Sequence, residues 1–153
     1  MKKLLYTSFN LFLLLCLTSC NNKETAKEIK PGTYQIEGSD SQIVLNSNKT
    51  ITIHNYDLSE LEKNSYEDFL IAKEQKNLPN GQTLSKEKEQ KIRNDIDLTS
   101  QFIDKENSYQ EETEDGYIGI YVPVKNCDLY FYAQFCPSDN TVTFDNKIFK
   151  LTD

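Results

Sequence analysis

Apolar and polar residues alternate in three short segments that follow Pro31. The segments are 33–37, 43–45 and 50–54, and residues that favour turns separate them. A period of two is typical of strands with one buried face. Tight turns between the segments predict these opposing pairs: Ile36 with Ile43, Tyr34 with Leu45, Leu45 with Ile51, and Ile43 with Ile53. All six side chains then share one face of a sheet, and this agreement fixes the register.

The period changes to three or four residues in the middle of the chain. One apolar stripe predicts a helix over 58–76, and a second stripe predicts a helix over 85–105. We expect any break in the first helix to fall near Asn64. The residues of the two stripes are Leu58, Leu61, Ser65, Phe69 and Ala72, followed by Ile92, Ile96, Thr99 and Ile103.

Alternation returns in the last third of the chain. A turn at Lys125-Asn126 and two later turns predict four antiparallel strands with one shared core face. The predicted pairs are Val122 with Leu129, Ile120 with Phe131, Ile118 with Ala133, Phe135 with Val142, Ala133 with Phe144, and Val142 with Phe149. We therefore predict a single α+β domain over 31–153. It is an antiparallel meander of about seven strands, as an open sheet or a small barrel, with a two-helix insertion between the third and fourth strands.

The same registers place four tyrosines together on the opposite face of the last four strands: Tyr117, Tyr121, Tyr130 and Tyr132. Tyr121 is predicted to lie directly across from Tyr130. Tyrosine combines a large apolar ring with a polar hydroxyl, which suits the recognition of a peptide or a sugar. The sequence leaves two interpretations open. Either the helices bury these rings, or the rings form an exposed or cleft-lining binding surface.

The first twenty residues have the features of an export signal. Lys2 and Lys3 precede a short apolar run, and the run ends in Leu17-Thr18-Ser19-Cys20. This segment resembles the lipobox signal of bacterial lipoproteins. The resemblance implies that residues 1–19 are cleaved and that Cys20 receives a diacylglyceryl group and further fatty acid, such as palmitate. It also implies an exported protein that is lipid-anchored to the bacterial cell membrane or outer membrane.

Residues 20–30 are predominantly polar and predict a flexible tether between the lipid and the domain. Loss of the leader removes two lysines and no acid, so the formal charge changes from −7 to −9. The chain has one arginine, Arg93, and this acidic composition argues against nucleic acid as a partner. A basic protein or peptide is the partner that the charge favours.

A dense acidic run precedes the last four predicted strands, with Glu111, Glu112, Glu114 and Asp115 as its acidic members. We interpret it as a solvated loop, and the alternatives are a docking loop for a basic partner or a weak calcium site. The run lacks the alternating ligand spacing of an EF-hand. No spacing of cysteine and histidine predicts a metal centre, and no cofactor is predicted beyond the lipid implied at Cys20.

Cys127 and Cys136 invite a disulfide in an exported protein. Nine residues of one strand separate them by about 30 Å, however, and this geometry disfavours the bond. His54, the single histidine, falls on the polar side of its predicted strand and is interpreted as solvated rather than catalytic.

The sequence therefore predicts a membrane-anchored, non-enzymatic module that binds a protein or peptide. One specific alternative is an inhibitor or immunity-type protein directed against a basic toxin or hydrolase. Another is a small envelope enzyme that uses carboxylates or His54, and a third is a structural link to the cell wall.

Overall fold

The computed structural model describes residues 28–152, and nine strands within them form one antiparallel sheet. The sheet order is β4-β3-β2-β1-β9-β8-β7-β6-β5. The α+β class is confirmed, whereas the prediction of about seven strands is wrong. The strands are β1 Gly32–Gln35, β2 Gln42–Leu45, β3 Thr50–His54, β4 Asn107–Ser108, β5 Gln110–Glu114, β6 Tyr117–Pro123, β7 Tyr130–Cys136, β8 Thr141–Phe144 and β9 Lys147–Leu151.

The predicted leader and Cys20 lie outside the described residues, as does most of the predicted tether. In the part of the chain that the structure describes, no helix has the length and apolar character needed to cross a membrane.

One continuous segment joins the two edges of the sheet. β4 pairs with β3 at one edge, and β5 pairs with β6 at the other. Tyr109 alone separates β4 from β5, and its N–H donates to the carbonyl of Lys49 at 3.0 Å. The ammonium of Lys49 also contacts the carboxylate of Glu111 at 2.8 Å. The sheet is therefore a nearly closed barrel.

The helices follow β3 in the chain. The first, α1, consists of the α-helical Ser59–Leu61, the π-helical Glu62–Glu67 and the α-helical Asp68–Lys76. The predicted second helix is split into α2, Lys86–Asp95, and α3, Leu98–Phe102. The split occurs because Ile96 is extended (φ −101°, ψ 120°) and the carboxylate of Asp97 caps α3 by accepting from the N–H of Ser100 at 2.8 Å.

The π-helical turn changes which face of α1 is buried. A π turn contains one residue more per hydrogen-bonded turn than an α turn, so it rotates every later side chain around the axis. Tyr66 is buried as a result, whereas Phe69 is 43% exposed and Ala72 is exposed. The predicted apolar stripe is therefore wrong beyond Leu61. The irregularity itself includes Asn64, where a break was expected.

Aromatic rings fill the interior of the barrel and bind the helices to it. Phe131 stacks on Phe102 of α3 with a centroid distance of 4.4 Å, and on Phe144 of β8 with a distance of 4.5 Å. The predicted core face of the strands is confirmed. Its fully buried members include Tyr34, Ile43, Leu45, Ile51, Ile53, Ile120, Phe131, Ala133, Phe135, Val142 and Phe149.

The predicted registers are right for three hairpins and wrong for two. The confirmed pairs are Leu45–Ile51, Ile43–Ile53, Phe135–Val142 and Val142–Phe149. The pairs that replace the predicted ones are Tyr34–Ile43 and Gly32–Leu45, together with Ile118–Phe135, Ile120–Ala133 and Val122–Phe131.

Both wrong registers come from loops that are longer than the predicted tight turns. The N–H of Ile36 donates to the carbonyl of Ser41 at 3.3 Å, and the N–H of Val124 donates to that of Leu129 at 3.0 Å. Each slip is two residues, so every side chain keeps its predicted face.

The barrel has two distinct ends because its strands alternate in direction. At the end that we call the helical end, the amide of Gln101 donates to the carbonyl of Pro123 and accepts from the N–H of Lys125, both at 2.9 Å. β1 begins and β9 ends at the opposite end, where the N–H of Thr152 donates to the carbonyl of Thr33 at 2.8 Å. We call this the terminal end, and the β5–β6 turn also lies there.

The bonds of Gln101 predict a stability effect. Gln101→Leu leaves the carbonyl of Pro123 and the N–H of Lys125 without their hydrogen-bond partner. Each partly buried backbone group left unsatisfied costs roughly 1–3 kcal/mol. We expect a loss of about 2 kcal/mol in the free energy of unfolding, measured by urea denaturation. Thr99→Ala, at an exposed position of α3, is the control and is expected to change it by less than about 0.5 kcal/mol. Equal stability of Gln101→Leu and the original chain would contradict this account.

Candidate functional site

The four predicted tyrosines lie together on the outer face of β6 and β7, and we call them the tyrosine surface. Tyr132 lies opposite Tyr121, and Tyr130 lies opposite Pro123. The predicted pairing of Tyr121 with Tyr130 is wrong because of the two-residue slip between these strands. The slip does not separate the rings, since they remain on one face.

Ring contacts join the members of the tyrosine surface. The rings of Tyr121 and Tyr132 are 5.0 Å apart between centroids and are tilted by 46°. Tyr121 also meets Tyr130 edge to face at 6.3 Å. Tyr117 and Tyr132 lie close enough for each hydroxyl to affect the pKa of the other. The four side chains therefore form one connected aromatic layer rather than four separate surface residues.

The layer is partly open to solvent. Tyr130 is 51% exposed, Tyr121 and Tyr132 are half-buried, and Tyr117 is only 8% exposed. Five buried residues of the helical insertion belong to the core cluster inside the barrel: Leu58, Tyr66, Ile96, Leu98 and Phe102. That cluster contains none of the four tyrosines. The helices therefore pack against the core side of the sheet and leave the tyrosine surface accessible.

Gly119 determines where the ring of Tyr121 lies. A Cβ atom at position 119 would be 2.7 Å from Cε2 of Tyr121 and 3.1 Å from its hydroxyl oxygen. The ring thus folds back along its own strand into the space that the missing side chain leaves. A glycine inside a strand commonly marks such a close approach.

The acidic run forms a strand and not the predicted loop. Glu111, Glu112 and Glu114 are part of β5, while Asp115 begins the turn to β6. Alternation could not reveal this strand, because all five residues of β5 are exposed and polar. Its partner β6 holds it in the sheet, as the register from Gln110–Tyr121 to Glu114–Tyr117 shows.

Two of these acids share the outer face with the tyrosines. Glu114 lies opposite Tyr117, and Glu112 lies opposite Gly119. Glu111 points to the other face, where it pairs with Lys49. The structure therefore brings Glu112 and Glu114 to the tyrosine surface but directs Glu111 away from it.

Burial is the main cause of the electrostatic changes in this layer. It raises the pKa of Tyr117, and the nearby carboxylate of Glu114 raises it further. Burial also raises the pKa of Tyr132, with smaller effects from Tyr117 and Tyr121. Tyr117 and Tyr132 therefore stay neutral at physiological pH, and the charged neighbours that raise their pKa are carboxylates. This negative environment favours a cation above the rings.

The remaining residues singled out by the sequence lie elsewhere. Cys127 is a free cysteine, so it is not bonded to Cys136. His54 contacts Asp104 at 2.5 Å between Nδ1 and Oδ1, and the histidine side chain is 35% exposed. Among the described residues, no serine or cysteine side chain is hydrogen-bonded to His54. Residues 28–152 also contain no group of three or more potential metal ligands that could hold an ion.

Comparison with known proteins gives no match: neither the family models nor the curated proteins nor the solved structures resemble the chain significantly.

The close approach at Gly119 predicts a specific disturbance of this surface. In Gly119→Ala, the new methyl group displaces the end of the Tyr121 ring, because a Cβ atom at this position would lie 2.7 Å from Cε2 of the ring. We expect altered near-ultraviolet circular dichroism and shifted Tyr121 ring resonances in NMR spectra. The melting temperature should change by only about 5 °C or less. Unchanged Tyr121 resonances would show that the ring does not occupy this space in solution.

Proposed function

We propose that this chain is a membrane-anchored lipoprotein of the bacterial cell envelope. Its domain is a non-enzymatic module that binds a basic protein or peptide. The observation that carries the proposal is the connected tyrosine layer, with Tyr130 half exposed and with Glu112 and Glu114 on the same face.

Tyrosine rings beside carboxylates suit basic side chains for two reasons. A lysine or arginine is attracted to the face of an aromatic ring, and the attraction grows where solvent is excluded. The neighbouring carboxylate adds a direct charge interaction and accepts a hydrogen bond. Each contact is modest in water, so a useful affinity requires several of them in one connected surface, as here.

The domain contains an internal example of the same chemistry. The ammonium of Lys147 lies 4.6 Å from the ring centroid of Tyr56, and the hydroxyl of Tyr56 donates to the carboxylate of Asp145 at 2.6 Å. A tyrosine, a carboxylate and an ammonium thus pack together within this fold. The tyrosine surface offers the first two groups to a partner that supplies the third.

The overall charge supports a basic partner. A formal charge of −7 for the whole chain creates a field that accelerates the approach of cations and repels anions. This contribution acts over distance and is screened by salt. The aromatic contacts provide the short-range part of the interaction, which salt weakens less.

The lipid anchor is supported by the N-terminal pattern that ends at Cys20. Two or three acyl chains give stable membrane attachment, whereas one chain gives only marginal attachment. The polar residues after Cys20 would let the domain stand clear of the lipid surface.

The binding proposal predicts the behaviour of the double variant Tyr121→Ala with Tyr130→Ala. We expect its affinity for a synthetic peptide rich in lysine and arginine to fall about tenfold, because two ring contacts are lost. Isothermal titration calorimetry at low and physiological salt measures this change. Ile148→Ala is the matched control, since Ile148 is 52% exposed on β9, outside the tyrosine surface. An unchanged affinity in the double variant, or equal binding of a glutamate-rich peptide, would refute the proposal.

The anchor proposal predicts that Cys20→Ala abolishes incorporation of labelled palmitate and releases the protein from washed membranes. Radiolabelling and fractionation of the producing cells measure both effects, with Cys127→Ala as the control that retains the label. Lipidation occupies the sulfur of Cys20. A disulfide between Cys20 and Cys136 in the mature protein, detected by non-reducing peptide mapping, would therefore contradict the anchor.

A further inference from the structure

The edge of β5 that faces away from β6 is available for pairing, and we call it the free edge. β5 bonds to β6 along one side, and it stands at the end of the strand order. After Tyr109 the chain no longer pairs with β3, so the side of β5 that faces away from β6 has no strand partner among the described residues. Among the described residues, Gln110–Glu114 make no backbone hydrogen bond except those with β6. An edge of this kind is a template for an added strand.

We propose that the basic partner binds in an extended conformation, as an additional strand along the free edge of β5. This inference rests on the proposed function and specifies how the partner is held. The edge supplies backbone hydrogen bonds, and the side chains of β5 select the charge of the strand that joins it.

The register of β5 determines where the positive charges of the partner must fall. Gln110, Glu112 and Glu114 point to the outer face, and a strand added alongside lies about 4.8 Å away. Every second side chain of the added strand points to the outer face and therefore lies beside Gln110, Glu112 and Glu114. On the inner face, Glu111 is already paired with Lys49. The partner therefore needs lysine or arginine at alternate positions rather than in a continuous run.

The tyrosine surface extends the same contact. Tyr117 lies directly across from Glu114, and Tyr121 directly across from Gln110. A long basic side chain that reaches over β5 meets first a carboxylate and then a ring. The free edge and the tyrosine surface therefore form one continuous binding surface.

The acids also explain why this edge would not pair with a second copy of the chain. Two β5 strands side by side would oppose glutamates to glutamates, and like charges directly opposite are destabilising. Charged residues on an edge strand are a common protection against self-association. Here the same charges would admit a basic strand and exclude an acidic one.

The test uses the full chain and two synthetic heptapeptides of equal composition. One alternates lysine and threonine, and the other has its four lysines in a block followed by three threonines. Strand addition predicts about fivefold tighter binding of the alternating peptide, and slower amide hydrogen exchange in β5 when it is bound. Equal binding of both peptides without protection of β5 would overturn the inference.

Backbone methylation of the peptide separates strand addition from general charge attraction without changing the protein. Two versions of the alternating peptide are N-methylated, one at the lysines and the other at the threonines. In an added strand, alternate N–H groups point toward β5, so one version loses its bonds and its affinity falls about tenfold, while the other is tolerated.

The outcomes distinguish this inference from the proposed function. If both methylated peptides bind as tightly as the parent and the tyrosine double variant binds all three weakly, strand addition is wrong and the binding function stands. If no lysine peptide binds at all, both are wrong. The double variant Glu112→Gln with Glu114→Gln should weaken the alternating peptide, whereas Asp139→Asn in the exposed β7–β8 turn should not.

Discussion

The stack of Phe102, Phe131 and Phe144 determines which face of the sheet the helices occupy. Phe102 belongs to α3, and the other two rings point into the barrel from β7 and β8. Because this contact draws the helical insertion into the interior, the outer face of β6 and β7 keeps no helical cover. The accessibility of the tyrosine surface is therefore a consequence of core packing several ångströms away, on the opposite side of the same two strands.

Much of the fold could be predicted because alternation assigns each side chain to a face of the sheet, whereas the register also depends on the length of the turn. The alternation of Ile118, Ile120 and Val122 with Tyr117 and Tyr121 assigns each side chain to a face wherever the turn falls. The turn positions could not be derived in the same way, because loop length depends on hydrogen bonds such as that between Val124 and Leu129, which no local sequence pattern predicts. The resulting errors were two residues each, so the membership of the tyrosine surface was right although its pairing was not.

Two features could not be predicted, for different reasons. A break near Asn64 was expected, but the burial of Tyr66 in place of Phe69 was not, because the π turn interrupts the period on which helix prediction relies. β5 shows no alternation, since it is exposed on both faces and depends on β6 for its conformation. The acidic residues were therefore identified as candidates for docking but assigned to a loop. Their role changes with the structure, because a strand has a backbone edge to offer and a solvated loop does not.

The separation of the barrel into two ends has a consequence for the orientation of the domain at a bilayer. β1 starts at the terminal end, which also holds the β5–β6 turn, so the proposed anchor, which precedes β1 in the chain, would connect to the domain at the end where β5 terminates. The helices would then face away from the lipid. Anionic headgroups concentrate basic peptides within about a Debye length of the membrane. In this orientation β5 would be directed toward that layer and would compete with the headgroups for the same cations.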